Sequence, residues 1–297
     1  MGGGSSDVGA PPGWTLVWSD EFDGPNGSDV DPTKWSHDVG DGSQVSEGNW
    51  QPGNGWGNDE LEYYTPGNAN TQQQDGLLII TAQTAGASQY NCWYGTCQWT
   101  SGRIKTYVGP PNVQNLFTRT LGRFEMRAQI PAGLGMWPAF WMMGTNLFTQ
   151  SWPACGEIDI MESVTCPDYP SNCPASAANP NMVHGTSHDT QSGDNGVTYT
   201  YTLPTGALSD SFHIYALEWS ATELDWYLDD VKYGTQMAPA NPTTAAWPFN
   251  DPSNPFFIIL NLALGNGDNN SWGAPPNAQT PNPAQMKVDY VRVYQHM

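Results

Sequence analysis

Phe124-Glu-Met-Arg-Ala-Gln-Ile130 alternates without a break: Phe124, Met126, Ala128 and Ile130 fall on one side, Glu125, Arg127 and Gln129 on the other. A period of two is the signature of a β-strand with one face on a core and the other toward solvent or a cleft. The same periodicity recurs along the chain, and no stretch of ten or more residues carries a helical period. Trp14 to Phe22, Leu77 to Gln83, Gly102 to Val108, Ala139 to Met143, Glu157 to Ser163, Val197 to Leu203, Phe212 to Trp219, Glu223 to Leu228, Phe256 to Leu264 and Lys287 to Tyr294 read as further strands. With Arg123 to Ile130 they make about eleven, each bounded by Gly, Pro, Asn or Asp. Many antiparallel strands with one buried face predict an all-β fold of two packed sheets, a sandwich or jelly roll. No fixed-period repeat points to a propeller or solenoid.

The 297 residues include 32 Gly and 25 Pro, scattered between apolar runs as turn punctuation, and only 13% charged residues. One domain over 13–297 behind a flexible leader, 1–12, is expected. Twenty-nine acidic side chains against nine basic ones give a net charge of −20, which excludes nucleic acid and anionic membrane as main partners, since such binding depends on Lys and Arg displacing phosphate counterions. No apolar run nears the roughly 20 residues that span a bilayer. Met1-Gly-Gly-Gly-Ser-Ser6 fits a myristoylation pattern, yet no polybasic patch backs it. Fourteen Trp, 13 Tyr and 9 Phe suit either a surface that stacks on sugar rings or a β-core built from aromatics.

Of five cysteines, Cys92 with Cys97 and Cys166 with Cys173 each close a short loop, leaving Cys155 over. The pairs suit an oxidising compartment, and secretion with the signal segment already removed is expected. A zinc site is the other reading, against which no CxxC spacing occurs. Nothing suggests a large apolar interface, so a monomer is expected. Long Pro-, Asn- and Gly-rich loops at 39–57, 166–182 and 237–254 are expected to wall a cleft.

Gly156-Glu-Ile-Asp-Ile-Met-Glu-Ser163 holds three carboxylates in six residues of an otherwise apolar strand. On a regular strand Glu157 and Asp159 share a face and Glu162 points away; a one-residue bulge near Ile160-Met161 returns Glu162 to their side. Same-face carboxyls brought to roughly 5–5.5 Å can act as nucleophile and acid on a glycosidic bond, with retention of configuration. Asp159 between them helps keep the acid protonated. A Ca²⁺ cluster or an exposed acidic face are the structural alternatives, and three acids on an apolar strand are the wrong geometry for Ca²⁺.

The segment resembles the Glu-x-Asp-x-x-Glu signature of family 16 glycoside hydrolases in its bulged, laminarinase-like form. Further blocks match in order: Trp18-Ser-Asp-Glu-Phe-Asp23, Gly57-Asn-Asp-Glu-Leu-Glu-Tyr-Tyr-Thr65, Thr100-Ser-Gly-Arg103, Met136-Trp-Pro-Ala-Phe-Trp-Met142 and Val288-Asp-Tyr-Val-Arg-Val-Tyr294. The resemblance implies a concanavalin A-like jelly roll of two curved sheets with an open cleft on the concave face, and endo-acting cleavage of a neutral β-1,3-glucan. It implies Glu157 as nucleophile, Glu162 as acid/base and Asp159 as assisting carboxylate. It further implies Trp137 and Trp141 as aromatic platforms, Asn58 and Arg103 as donors to sugar hydroxyls, and His188 as the cleft histidine of Val183-His-Gly-Thr-Ser-His188. Trp141 has a core reading, Arg103 that of a structural ion partner, and His188 that of a turn cap. No cofactor is implied for catalysis; a structural Ca²⁺ at Glu21, Gly76 and Asp289 is. Mixed-linkage glucanases, agarases, carrageenases and transglycosylases share the fold and acids, and a silent β-glucan lectin would keep the aromatics. The chain departs from the family at 165–181, which looks inserted, at Asp59, and at Glu62 in place of the commoner Gln, which is expected to add negative charge near the cleft.

Overall fold

The computed structural model describes residues 9–43, 54–165, 180–193, 196–240, 247–268 and 272–297. Two antiparallel sheets face each other. The outer sheet runs β13 (Val231–Met237), β12 (Glu223–Leu228), β11 (His213–Trp219), β6 (Gly122–Gln129), β15 (Ala284–His296), β4 (Leu77–Ala82) and β3 (Thr71–Gln74), with β1 (Trp14–Asp20) also on β15. The second sheet runs β10 (Val197–Thr202), β9 (Met182–His188), β8 (Glu157–Glu162), β7 (Met136–Gly144), β14 (Phe256–Leu264), β5 (Arg103–Lys105) and β2 (Ser36–His37).

One apolar cluster lies between the sheets. From β6 come Phe124, Met126 and Ala128, the alternating set read from sequence; from β14 come Phe256, Ile258, Leu260, Leu262 and Leu264. All nine residues of β14 are buried, because its opposite face is covered too: Phe257 and Ile259 pack with Tyr107, Met143, Leu147 and Cys155. A strand buried on both faces reads as a continuous apolar run. Each fully buried Leu or Ile of this set contributes about 1.5–3 kcal/mol.

Three strands of the two sheets, β3, β9 and β13, do not alternate in sequence. Thr71–Gln74 and Val231–Met237 are sheet edges, where polar side chains are tolerated on both faces. Met182–His188 carries Gly185 because the Trp226 indole of β12 occupies the space a Cβ would need. That indole donates to the backbone carbonyl of Asp159 at 2.9 Å, so β9 yields room to a tryptophan that fixes the neighbouring strand. The Cys92–Cys97 disulfide is present and Cys155 is a free, buried thiol; Cys166, Cys173, most of the 165–181 segment and parts of the other two long loops lie outside the described residues.

Gly185→Ala is expected to displace Trp226 and lower unfolding free energy by roughly 1–3 kcal/mol, the usual cost of overpacking. Urea unfolding measures it; a stability equal to the parent's would show that the indole can move aside.

Candidate active site

Strand β8 pairs with β7 so that Phe140 faces Met161 and Trp141 faces Asp159, which leaves Ile160 as one extra residue. The shift reappears against β9, where Asp159 opposes Thr186 and Glu162 opposes His184. Ile158, Ile160 and Met161 all enter the core, while Glu157, Asp159 and Glu162 share the opposite face. The bulge read from sequence is therefore present.

Two of these carboxyls accept an indole N–H. Trp152 Nε1 donates to Glu157 at 2.9 Å and Trp137 Nε1 to Glu162 at 2.9 Å. His188, opposite Glu157 on β9, puts Nε2 3.2 Å from Asp159 and 3.9 Å from Glu157, which makes it a partner of the carboxylates rather than a turn cap. Trp152 and the His188 ring lie 5.5 Å apart.

Burial, then the charges of Glu157 and Glu162, push Asp159 well above the usual carboxylate range, against the hydrogen bond and charge of His188. Burial alone would depress the His188 imidazole, but its bond to Asp159 and the charges of Glu157, Asp159 and Glu162 push it up to about 10. Each of the two side chains therefore holds a proton more tightly than its free counterpart. Burial raises Glu162 to about 7; the Trp137 bond and His188 oppose the shift, and Glu157 and Glu60 add to it. A carboxyl that keeps its proton near neutrality is suited to deliver it. Glu157, Asp159 and His188 each offer one atom within a 4.8 Å group, but an imidazole already bound to a carboxyl and holding a proton is not a free metal ligand.

Not every expected residue sits as expected. Arg103 is 3% exposed: its Nε pairs with Asp38 at 2.9 Å and its guanidinium lies between the rings of Trp56 and Trp141, at 4.7 and 4.9 Å. It is an ion partner of Asp38 stacked between two indoles. Trp141 is half-buried and donates to Asn261 at 2.7 Å. Trp137 keeps only 9% of its surface and packs edge-on to Trp272, so in this arrangement it is the hydrogen-bond donor of Glu162 more than an open platform. Asn58 is exposed and donates to Glu60 at 3.0 Å.

Of the calcium set, Glu21 accepts from Arg292 at 2.7 and 3.0 Å and Asp289 from Arg127 at 2.6 Å, so both side-chain carboxylates are engaged by arginines and a cation here would draw on backbone oxygens. Gly76 sits at positive φ in the turn from β3 to β4. Residues that sequence reasoning missed are Trp152, Trp272, and the buried Asp38, Lys105 and Glu60. A tryptophan five residues ahead of the first acid was the available signal for Trp152.

A family described as "Beta-porphyranase A-D, GH16 domain" matches residues 14–296. The chain belongs to glycoside hydrolase family 16. A β-glucanase of Rhodothermus marinus is 37% identical over 98% of this chain and 88% of its own length. A glucan endo-1,3-β-glucosidase of Cryptopygus antarcticus is 34% identical over 89% of this chain and 84% of its own. The crystal structure of an endo-β-1,3-glucanase from Pyrococcus furiosus superposes with a TM-score of 0.75 at 37% identity, covering 96% of this chain and 95% of that one. This family 16 member is thus a glycosidase with the jelly-roll fold that its sequence predicts.

Because the Trp137 bond lowers Glu162, Trp137→Phe is expected to raise the titration of that carboxyl by about half to one unit above its value of about 7. ¹³C NMR of labelled glutamate carboxyls reads it; a fall would mean that burial lost with the indole outweighs the hydrogen bond.

Proposed function

We propose that this glycosidase is an endo-acting β-1,3-glucanase of laminarin-type glucan working by retaining double displacement. The observation that carries the reading is the bulged strand, which puts Glu157 and Glu162 on the same side with Asp159, in contact with His188, between them; burial pushes Glu162 up to about 7. Glu157 attacks the anomeric carbon while Glu162 gives its proton to the departing glycosidic oxygen. Glu162 then takes a proton from water, whose oxygen displaces Glu157 and releases the sugar. Asp159 and His188 hold charge and orientation beside the nucleophile. Both steps use side chains alone.

The names of the relatives, β-glucanase and glucan endo-1,3-β-glucosidase, support a β-1,3-glucan substrate. A charge of −20 favours a neutral polysaccharide over a sulfated one. The Cys92–Cys97 disulfide supports secretion.

Glu157→Gln keeps shape and removes nucleophilicity, so kcat on laminarin is expected to fall by about 10³-fold or more while laminarin binding persists. Reducing-sugar kinetics beside affinity electrophoresis check both; near-parental turnover would remove Glu157 from its role.

A further inference from the structure

Where β5 ends, β14 loses its strand neighbour, and side chains and loops complete its edge. Leu262 N–H bonds to Gly102 O, Ser101 Oγ donates to Leu262 O at 2.6 Å, and Leu61 N–H bonds to Leu264 O. The remaining N–H, that of Leu264, is taken by Glu62 Oε2 at 2.7 Å. Glu62 is 0% exposed. Its second oxygen is buried with no hydrogen-bond partner, as is Oε2 of the neighbouring Glu60.

This place asks for one acceptor, toward Leu264, and one donor, toward Glu60. A glutamine amide meets both demands; so does a protonated carboxyl, whereas a carboxylate lacks the donor. An unshared pair of charges here would face a large desolvation cost. Burial first, and Glu60 next, push Glu62 well above the usual carboxylate range. Glu62 occupies the place of the commoner Gln at this edge and makes the acceptor contact that a glutamine amide would make. Glu60 accepts at its other oxygen from Asn58, and its charge acts on Glu162.

We propose that Glu60 and Glu62 form a proton-sharing carboxyl pair, Glu62 donating and Glu60 accepting, whose single negative charge helps keep the proton on Glu162. Glu62 is then a positioning residue for the reaction, which rests on the reading of Glu162 as proton donor. The groups facing Glu162 are Glu157 and Asp159 on its own strand, His188 and His184 on β9, Tyr233 on β13, Trp137 on β7, and Glu60. Those acting on or feeling the pair are Tyr64, hydrogen-bonded to Asn261, and Tyr94, which donates to Leu61 O; both phenols are pushed up, first by burial.

The experiment combines ¹³C NMR of glutamate carboxyls with pH profiles of kcat/KM on laminarin. In the parent, one carboxyl other than that of Glu162 is expected to stay protonated above pH 7, and its signal to be missing from Glu62→Gln. Glu62→Gln retains the charge of the pair, so the Glu162 titration and the alkaline limb stay in place. Glu60→Gln/Glu62→Gln removes the charge, and both are expected to move down by roughly half to one unit. Glu62 titrating with ordinary carboxylates would overturn the pair. A pair that is present, with Glu162 unmoved in the double variant, would overturn its coupling to the site. Glu162 moving in NMR without the alkaline limb would leave the pair standing and instead contradict the role given to Glu162.

Discussion

The site depends on a single inserted residue. Ile160 breaks the alternation of β8 so that Ile160 and Met161 both enter the core and Glu162 returns to the face of Glu157 and Asp159. Without it, strand geometry would turn either Glu162 inward or two apolar residues outward. The surroundings hold this irregularity in place through three indole N–H groups: Trp152 on the Glu157 carboxylate, Trp226 on the Asp159 carbonyl and Trp137 on the Glu162 carboxyl. Gly185 is small because Trp226 needs its space. Core packing and site geometry are thus one arrangement seen from two sides of a sheet.

Charge scarcity explains the chemistry of that face. Of nine cationic side chains, Lys34, Arg103, Lys105, Arg123, Arg127, Lys232 and Arg292 are in ion pairs with carboxylates elsewhere. Among the described residues, the basic side chain against Glu157 and Asp159 is His188. Part of the remaining negative charge is offset by protons, held in the Asp159–His188 contact, on Glu162 and on Glu62 beside Glu60. Folded-state proton affinities are raised at all of these, so the folded chain binds more protons than the unfolded one and its stability declines as pH rises through the neutral range. Asp38 has the opposite sign: although burial opposes it, Lys105 and Arg103 lower its carboxyl, and its contribution is lost in acid.

Sequence periodicity located the strands with one or two apolar faces, from Phe124–Ile130 to Phe256–Leu264, and the spacing of three acids located the bulge. It missed β2, which is two residues long, and β3, β9 and β13, whose polar or small residues are set by edge position or by a tryptophan arriving from another strand. Residue type also left roles open. Arg103 carries the same charge whatever it meets, and its pairing with Asp38 between Trp56 and Trp141 is visible only in the fold. Glu62 counts as a charge in composition and as a neutral acid in its place against Leu264 and Glu60.

The account stands on Glu157 and Glu162 acting from one face of the bulged strand in two displacements. Proton NMR of laminarin in the first minutes after addition of enzyme tests this most directly, through the anomer in which new reducing ends appear. The account predicts a burst of β-anomer that relaxes slowly by mutarotation. New ends appearing as α-anomer would contradict it.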